Sequence, residues 1–317
     1  MRNRFVETFN VRYPLISAGM AMIAVPELVA AVSNAGAIGT LGTGPVPPEW
    51  LKQAVHDVRS RTVKPFAVNL INETTAFGPL TTDAHVDVCV EEKVELVIFF
   101  WQLPESSWVQ KLDNAGIPFI VTAGTADAVD RAVDLPLSGL MLQGMEAGGH
   151  VRSEASLQKL LRQTREKHPE QMLIGAGGIA DAGDVKRALD WGADAVCLGT
   201  RFVASAEANA HAEYQQRIIS ACGSDTVVTE IFGPEWPGVP MRVIANEATR
   251  GVAAGQSIGN TDLLGHPYEM PPNSAVLPMR GTTGNFDMMC LAAGKSVEGI
   301  HDVLPAAEIV RSLFPDW

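Results

Sequence analysis

The sequence predicts an α/β fold: a closed (β/α)8 TIM barrel followed by a small C-terminal helical lobe. Three observations carry that expectation. Eight short apolar runs alternate in order with helical patterns between residues 14 and 220. The runs lack period-two alternation, as strands buried on both faces do. Past Cys222 the alternation stops, and Gly, Pro, Asn and Thr become frequent. Eight consecutive βα units favour closure over an open sheet. A doubly wound open sheet is the competing architecture.

The first strand reads from Pro14 to Ser17 and leads to a helix at Pro26–Asn34, ended by Gly36. Ala37–Leu41 and Glu49–Ser60 form the second unit. Phe66–Leu70 is the third strand, bounded by Pro65, with a helix at Val86–Lys93. Leu96–Phe100 precedes a helix at Ser106–Ala115, ended by Gly116. Phe119–Val121 and Gly139–Leu142 are the next strands, with a helix at Ala126–Val133 between them and one at Leu157–Lys167 after them. Met172–Gly175 leads into Asp181–Trp191, where Gly192 takes the C-cap position. Ala195–Leu198 is the eighth strand and Ala206–Ser220 its helix. The barrel is assigned to residues 1–222. Residues 223–317 form a lobe expected to cover the barrel mouth, with helices near Val243–Ala254, Met288–Ala293 and Ala306–Leu313.

Composition narrows the functional class. The 317 residues are 46% hydrophobic and 19% charged, enough apolar material for a large core and too little charge for a disordered chain. The net charge of −12 disfavours a phosphate-backbone partner, so no nucleic acid is expected. Cys89, Cys197, Cys222 and Cys290 are scattered and form no CxxC pair, which argues against a zinc site and a disulfide framework. A reducing, cytoplasmic setting follows. The start of the chain, Met1-Arg-Asn-Arg, shows no apolar secretory segment, and no run approaches a bilayer span.

The chemistry of a barrel sits where its strands end. The sixth strand runs into Gln143-Gly-Met-Glu-Ala-Gly-Gly-His150, which places a histidine at the rim of a glycine-rich turn. A solvated histidine on a tight turn is the plain alternative. The seventh strand ends in Gly175-Ala-Gly-Gly-Ile-Ala180, and the eighth in Cys197-Leu-Gly-Thr-Arg201. Glycine turns at the ends of strands seven and eight form the usual phosphate site of this fold. Neither reads GxxxxGK[ST], so a P-loop is not expected.

These stretches, with Pro14–Met20, Pro26–Gly42, Pro65–Leu70, Gly192–Ala204 and Pro305–Val310, resemble the nitronate monooxygenases, formerly called 2-nitropropane dioxygenases. That family is related to flavin-dependent enoyl-ACP reductases and to a group of NADH:quinone reductases. The resemblance implies FMN as cofactor, and no metal. Gly19 and Met20 would lie by the flavin through their backbone. Asn69 would hydrogen-bond the flavin or its ribityl chain. Gln143 would reach the ring edge, and Gly148 would pack beside it. Gly177, Gly178, Gly199 and Thr200 would hold the phosphate, with Cys197 and Leu198 leading into that turn. Cys197 itself reads as core, not nucleophile. His150 matches the family's active-site histidine. As a neutral base it could take a proton; as imidazolium it could hold an anion.

Two departures bear on the substrate. The family commonly has Gln-Ala-Pro-Met at the first strand, where this chain has Ser17-Ala-Gly-Met20. A family histidine near Phe100-Trp101 is replaced by these aromatics. The implied activity is oxidation of alkyl nitronates by molecular oxygen. The alternative is an NAD(P)H-dependent flavin reductase acting on an enoyl thioester or a quinone, although no GxGxxG follows an early strand. A non-catalytic sensor of phosphate ligands is a third class. Partners would be a small anionic substrate and oxygen, with a homodimer admissible. Of the remaining histidines, His56, His85 and His168 read as solvated, and His211 as a helix-face residue; His266 and His301 carry no assigned role.

Overall fold

The computed structural model of the chain describes residues 3–317. Its eight barrel strands are Leu15–Ser17, Gly39–Gly42, Phe66–Asn72, Leu96–Trp101, Phe119–Ala123, Gly139–Gln143, Leu173–Ala176 and Ala195–Leu198. Each pairs in parallel with its neighbour in sequence, and the eighth pairs with the first at Ser17 and Leu198. A parallel bridge between Ile16 and Ile38 joins the first strand to the second and completes the ring.

Strand register sorts the side chains into two layers. Ile16, Ile38, Ala67, Ile98, Ile120, Met141, Ile174 and Cys197 point inward and form one buried cluster with Phe5 and Phe9 of the N-terminal helix Arg4–Phe9. Their neighbours Leu15, Val68, Val97, Phe99, Val121, Leu140, Leu173 and Val196 point outward and pack under the helices. Both faces are apolar, which is why the strands show no alternation in the sequence.

The helices begin where local chemistry favours it. Pro26 and Pro48 occupy the first turn of Pro26–Asn34 and Pro48–Arg61, where the missing N–H costs nothing. Thr125, Ser156 and Asp181 cap Ala126–Ala132, Leu157–Lys167 and Ala182–Asp190 by accepting a hydrogen bond from a first-turn N–H. In Leu157–Lys167 the buried positions are Leu157, Leu160, Leu161 and Thr164, a single stripe turned to the barrel.

The C-terminal region departs from the sequence expectation. The helix predicted over Val243–Ala254 is instead the end of a strand, Met241–Ile244, followed by a turn. That strand pairs antiparallel with Thr226–Thr229 on one side and with Gly149–His150 on the other. Its backbone groups are satisfied by neighbours remote in sequence, so the local pattern does not decide. Asn246 then turns the chain, accepting from the Thr249 N–H and donating to the Met289 carbonyl at 2.8 Å. The helix predicted over Met288–Ala293 is extended chain beside the same strand: Ile244 N–H donates to the Leu291 carbonyl at 2.9 Å. An apolar run buried all round has no period to separate strand from helix. Gly259–Leu263 and His266–Met270 form an antiparallel hairpin. Of the predicted C-terminal helices, the one at Ala306–Ser312 forms. The helix predicted over Ala206–Ser220 is shortened to Ala212–Ser220, and a separate short helix, Thr200–Val203, precedes it directly after the eighth strand.

Among the described residues no helix is long and apolar enough to cross a membrane, and no cluster of His, Cys, Asp or Glu could hold a metal ion.

Candidate active site

The inward positions at the C-terminal ends of the strands run out of barrel before they run out of residues. They leave a cavity of about 260 Å3 at the mouth, floored by Ile98, Thr122, Met141 and Cys197. Every residue singled out from the sequence lies on its wall: Gly19, Met20, Asn69, Gln143, Gly148, His150, Gly177, Gly178, Cys197, Leu198, Gly199 and Thr200. Burial pushes the Cys197 thiol up to about 12, so it stays a neutral wall group.

One end of the cavity is an array of free donors. The backbone N–H groups of Gly177, Gly178, Ile179, Gly199 and Thr200 make no hydrogen bond among the described residues, and all five residues line the cavity. Buried N–H groups are almost always paired, so an unpaired cluster marks a place for an acceptor. Gly177 and Gly178 have φ of +110° and +71°, conformations that L side chains rarely adopt. Ser296 also lines the cavity. Thr200 Oγ1 accepts from the Gly294 N–H at 3.0 Å, which ties the turn to the C-terminal chain.

The loop from Gln143 to His150 is held from behind. A Cβ on Gly148 would lie 2.4 Å from the Gly294 nitrogen and 2.5 Å from the Ala293 carbonyl carbon. The glycine is therefore required by chain crossing beneath the cavity wall. Arg242, buried, donates from Nε at 3.0 Å and from a terminal nitrogen at 2.8 Å to the Met145 carbonyl. The Lys295 N–H donates to the Glu146 carbonyl at 2.9 Å. The polar wall opposite is made by two carboxamides. Asn69 makes no side-chain hydrogen bond among the described residues, while Gln143 donates to the His150 carbonyl at 3.2 Å.

His150 stands in an aromatic box. Its ring centroid is 4.1 Å from that of Trp236 and 5.9 Å from that of Trp101, and the two indoles meet edge-on at 4.9 Å. Nε2 is buried with no hydrogen-bond partner among the described residues. Burial in this box lowers the imidazole to about 4, so at neutral pH the ring is uncharged. The imidazolium expected as one alternative from the sequence is thereby disfavoured: the box buries the ring and supplies no counter-charge. Trp101 has φ of +85°, a strained setting for a bulky residue. Arg152 holds it, donating to its carbonyl at 2.7 Å with the guanidinium 4.9 Å from the ring centre.

The other histidines lie outside the cavity wall. His85 is buried, not solvated: its ring bonds Thr82 at 2.9 Å and the Val46 carbonyl at 2.9 Å. His168 is half-buried, 3.6 Å from Asp130. His211 caps Ala212–Ser220, accepting from the Glu213 N–H at 3.1 Å, and stacks on Phe286. It is a cap because the chain before it is extended. His56, His266 and His301 are exposed.

Sequence reasoning missed Trp236, Ser296, Met241, Ala275 and Leu277, all beside the cavity or His150. Trp236 had a signal, a tryptophan bracketed by prolines in Gly233-Pro-Glu-Trp-Pro-Gly238. The others are ordinary residues placed by long-range packing.

A family model described as nitronate monooxygenase matches residues 2–85 and 71–316. A probable nitronate monooxygenase of Bacillus subtilis (strain 168) is 28% identical, covering 98% of this chain and 98% of that protein. Among solved structures, FabK from Thermotoga maritima is 28% identical, with a TM-score of 0.83 over 99% of this chain and 96% of that one. A nitroalkane oxidase from Streptomyces ansochromogenes is 25% identical, with a TM-score of 0.81 over 98% of this chain and 97% of that one.

Proposed function

The chain belongs to the nitronate monooxygenase family, and on that premise we propose that it binds FMN without covalent attachment and oxidises alkyl nitronates with molecular oxygen. The observation that carries this reading is the pairing of two features in one cavity. Unpaired N–H donors lie at the glycine turns, and His150 presents a buried, partnerless Nε2.

The residues present fit FMN. The N–H groups of Gly177, Gly178, Ile179, Gly199 and Thr200 would take the phosphate, as turns after strands seven and eight do in this fold. Ser296 can add a hydroxyl. Asn69 and Gln143 offer carboxamides to a polar planar ring, against a wall formed by Gly19 and Met20. The donors at these two turns suit a single phosphate, as FMN carries. When bound, FMN supplies the redox chemistry, taking electrons from the substrate and delivering them to oxygen.

The chain's own residues handle the proton. Neutral His150 can accept a proton from a carbon acid at one ring nitrogen, or donate a hydrogen bond to an anionic oxygen from the other. Trp101 and Trp236 pack against the ring and hold it in place.

Three measurements test the reading. The purified protein is expected to be yellow, and heating it is expected to release FMN. Recovery of FAD, or no flavin after cofactor is supplied, would refute the cofactor assignment. Anaerobic mixing with a nitronate is expected to bleach the flavin. Bleaching by NADH and not by nitronate would assign the reductase activity instead, and bleaching by neither would point to a sensor.

A further inference from the structure

A second cavity of about 140 Å3 adjoins the first across His150. Ala21, Ile71, His150, Ala275 and Leu277 line both. The imidazole therefore stands at a junction between two chambers, not at the end of one. Beyond it the wall is apolar, with Leu80 and Trp236 buried, Leu263 and Val276 half-buried, and Phe77 at the exposed side, edge-on to Tyr268.

The one ionisable side chain on this wall besides His150 is Glu235, and its two oxygens already accept three hydrogen bonds. Its Oε1 accepts from the hydroxyls of Ser274 and Tyr268, and its Oε2 from the Ala275 N–H at 2.8 Å. No cation pairs with it among the described residues. The rest of the wall is apolar, so a second anion placed there would lose its hydration and gain no partner.

We infer that this chamber receives an unbranched, uncharged alkyl tail of the substrate. The inference rests on the proposed reaction in placing the nitronate carbon on the first-cavity side of His150. The enzyme then prefers a medium-chain alkyl nitronate to one tipped with a carboxylate. At about 30 Å3 for a group of water's size, the chamber holds roughly four to five carbons. Apolar burial of each methylene is worth about fourfold in binding.

The test is kcat/KM for straight-chain nitronates from two to eight carbons, with wild type, Val276→Phe and Val276→Trp. Val276 lines the second cavity and not the first, and it is half-buried, so a larger ring fills the chamber. In wild type, kcat/KM is expected to rise about fourfold per methylene over four to five carbons and then level. Val276→Phe shortens that rise, and Val276→Trp flattens it. A carboxylate-tipped nitronate of equal length is expected to gain nothing from its length. Binding of straight-chain primary alcohols to the holoenzyme, followed by tryptophan fluorescence, is a second readout that needs no turnover. If no nitronate reacts but alcohol affinity climbs with length in wild type and not in Val276→Trp, the reaction is wrong and the chamber stands. A flat dependence on length in wild type, equal slopes in wild type and Val276→Trp, or a carboxylate-tipped chain that does as well as an alkyl chain, overturns the inference.

Discussion

Replacing Trp236 with alanine isolates the cause of the low proton affinity of His150. The two rings lie 4.1 Å apart, and no charged neighbour contributes to the shift; burial alone lowers the imidazole from 6.5 to about 4. That interval corresponds to about 3 kcal/mol against the charged form. Trp236→Ala admits water on one face, so the proton affinity is expected to climb back toward 6.5. If it recovers fully, the neutral fraction at pH 5.5 falls from nearly all to about one tenth. Activity that needs neutral His150 then falls about tenfold at pH 5.5 relative to pH 8, a dependence absent in wild type. The assays are the pH profile of kcat/KM and an NMR titration of the His150 Cε1 proton, which needs no substrate. The sign for stability is fixed by the same shift. The unfolded chain takes up a proton between pH 6.5 and about 4 that the native ring refuses, so wild type loses stability as pH falls through that window. Trp236→Ala should lose less. An NMR titration midpoint that stays near 4 in Trp236→Ala would refute the argument that this wall sets the proton affinity.

His150→Ala is expected to keep the flavin and the melting temperature, and to lose about 10²–10⁴-fold in turnover of a neutral nitroalkane. Its loss on a preformed nitronate should be smaller and fall mainly on apparent affinity; unchanged turnover of both would leave His150 a rim residue. Gly178→Asp places a side chain at φ +71°, with its Cβ 3.0 Å from the Glu146 Cβ and a new charge beside the free N–H donors. Flavin retention should vanish while the circular dichroism stays that of a folded barrel, and full flavin occupancy would show the phosphate lies elsewhere. Gly148→Ala drives a Cβ against Gly294 backbone, and should cost about 1–3 kcal/mol, read as a lower denaturation midpoint. An unchanged midpoint would mean the 293–294 segment gives way freely.

The barrel was legible in the sequence because each βα unit is a local statement. Gly36, Gly116 and Gly192 end helices, Pro26 opens one, and each apolar run is too short for anything but a strand. The glycine turns at Gly177–Gly178 and Gly199 were legible for a similar reason: a loop that leaves N–H groups free needs small residues at fixed positions. The C-terminal strands were not legible. Met241–Ile244 takes its hydrogen bonds from residues 226–229, from residues 149–150 and from Leu291, partners that no local window contains. The state of His150 was equally out of reach. The sequence places a histidine at the rim of the sixth strand and leaves its charge open. Only folding brings Trp101, from the end of the fourth strand, and Trp236, from the chain beyond the barrel, against the imidazole. Sequence alone determined which backbone forms the barrel and where the donors lie, because propensity and glycine geometry act over a few residues. Tertiary structure decided the chemistry at His150, because desolvation depends on every atom packed around the ring, whatever its distance along the chain.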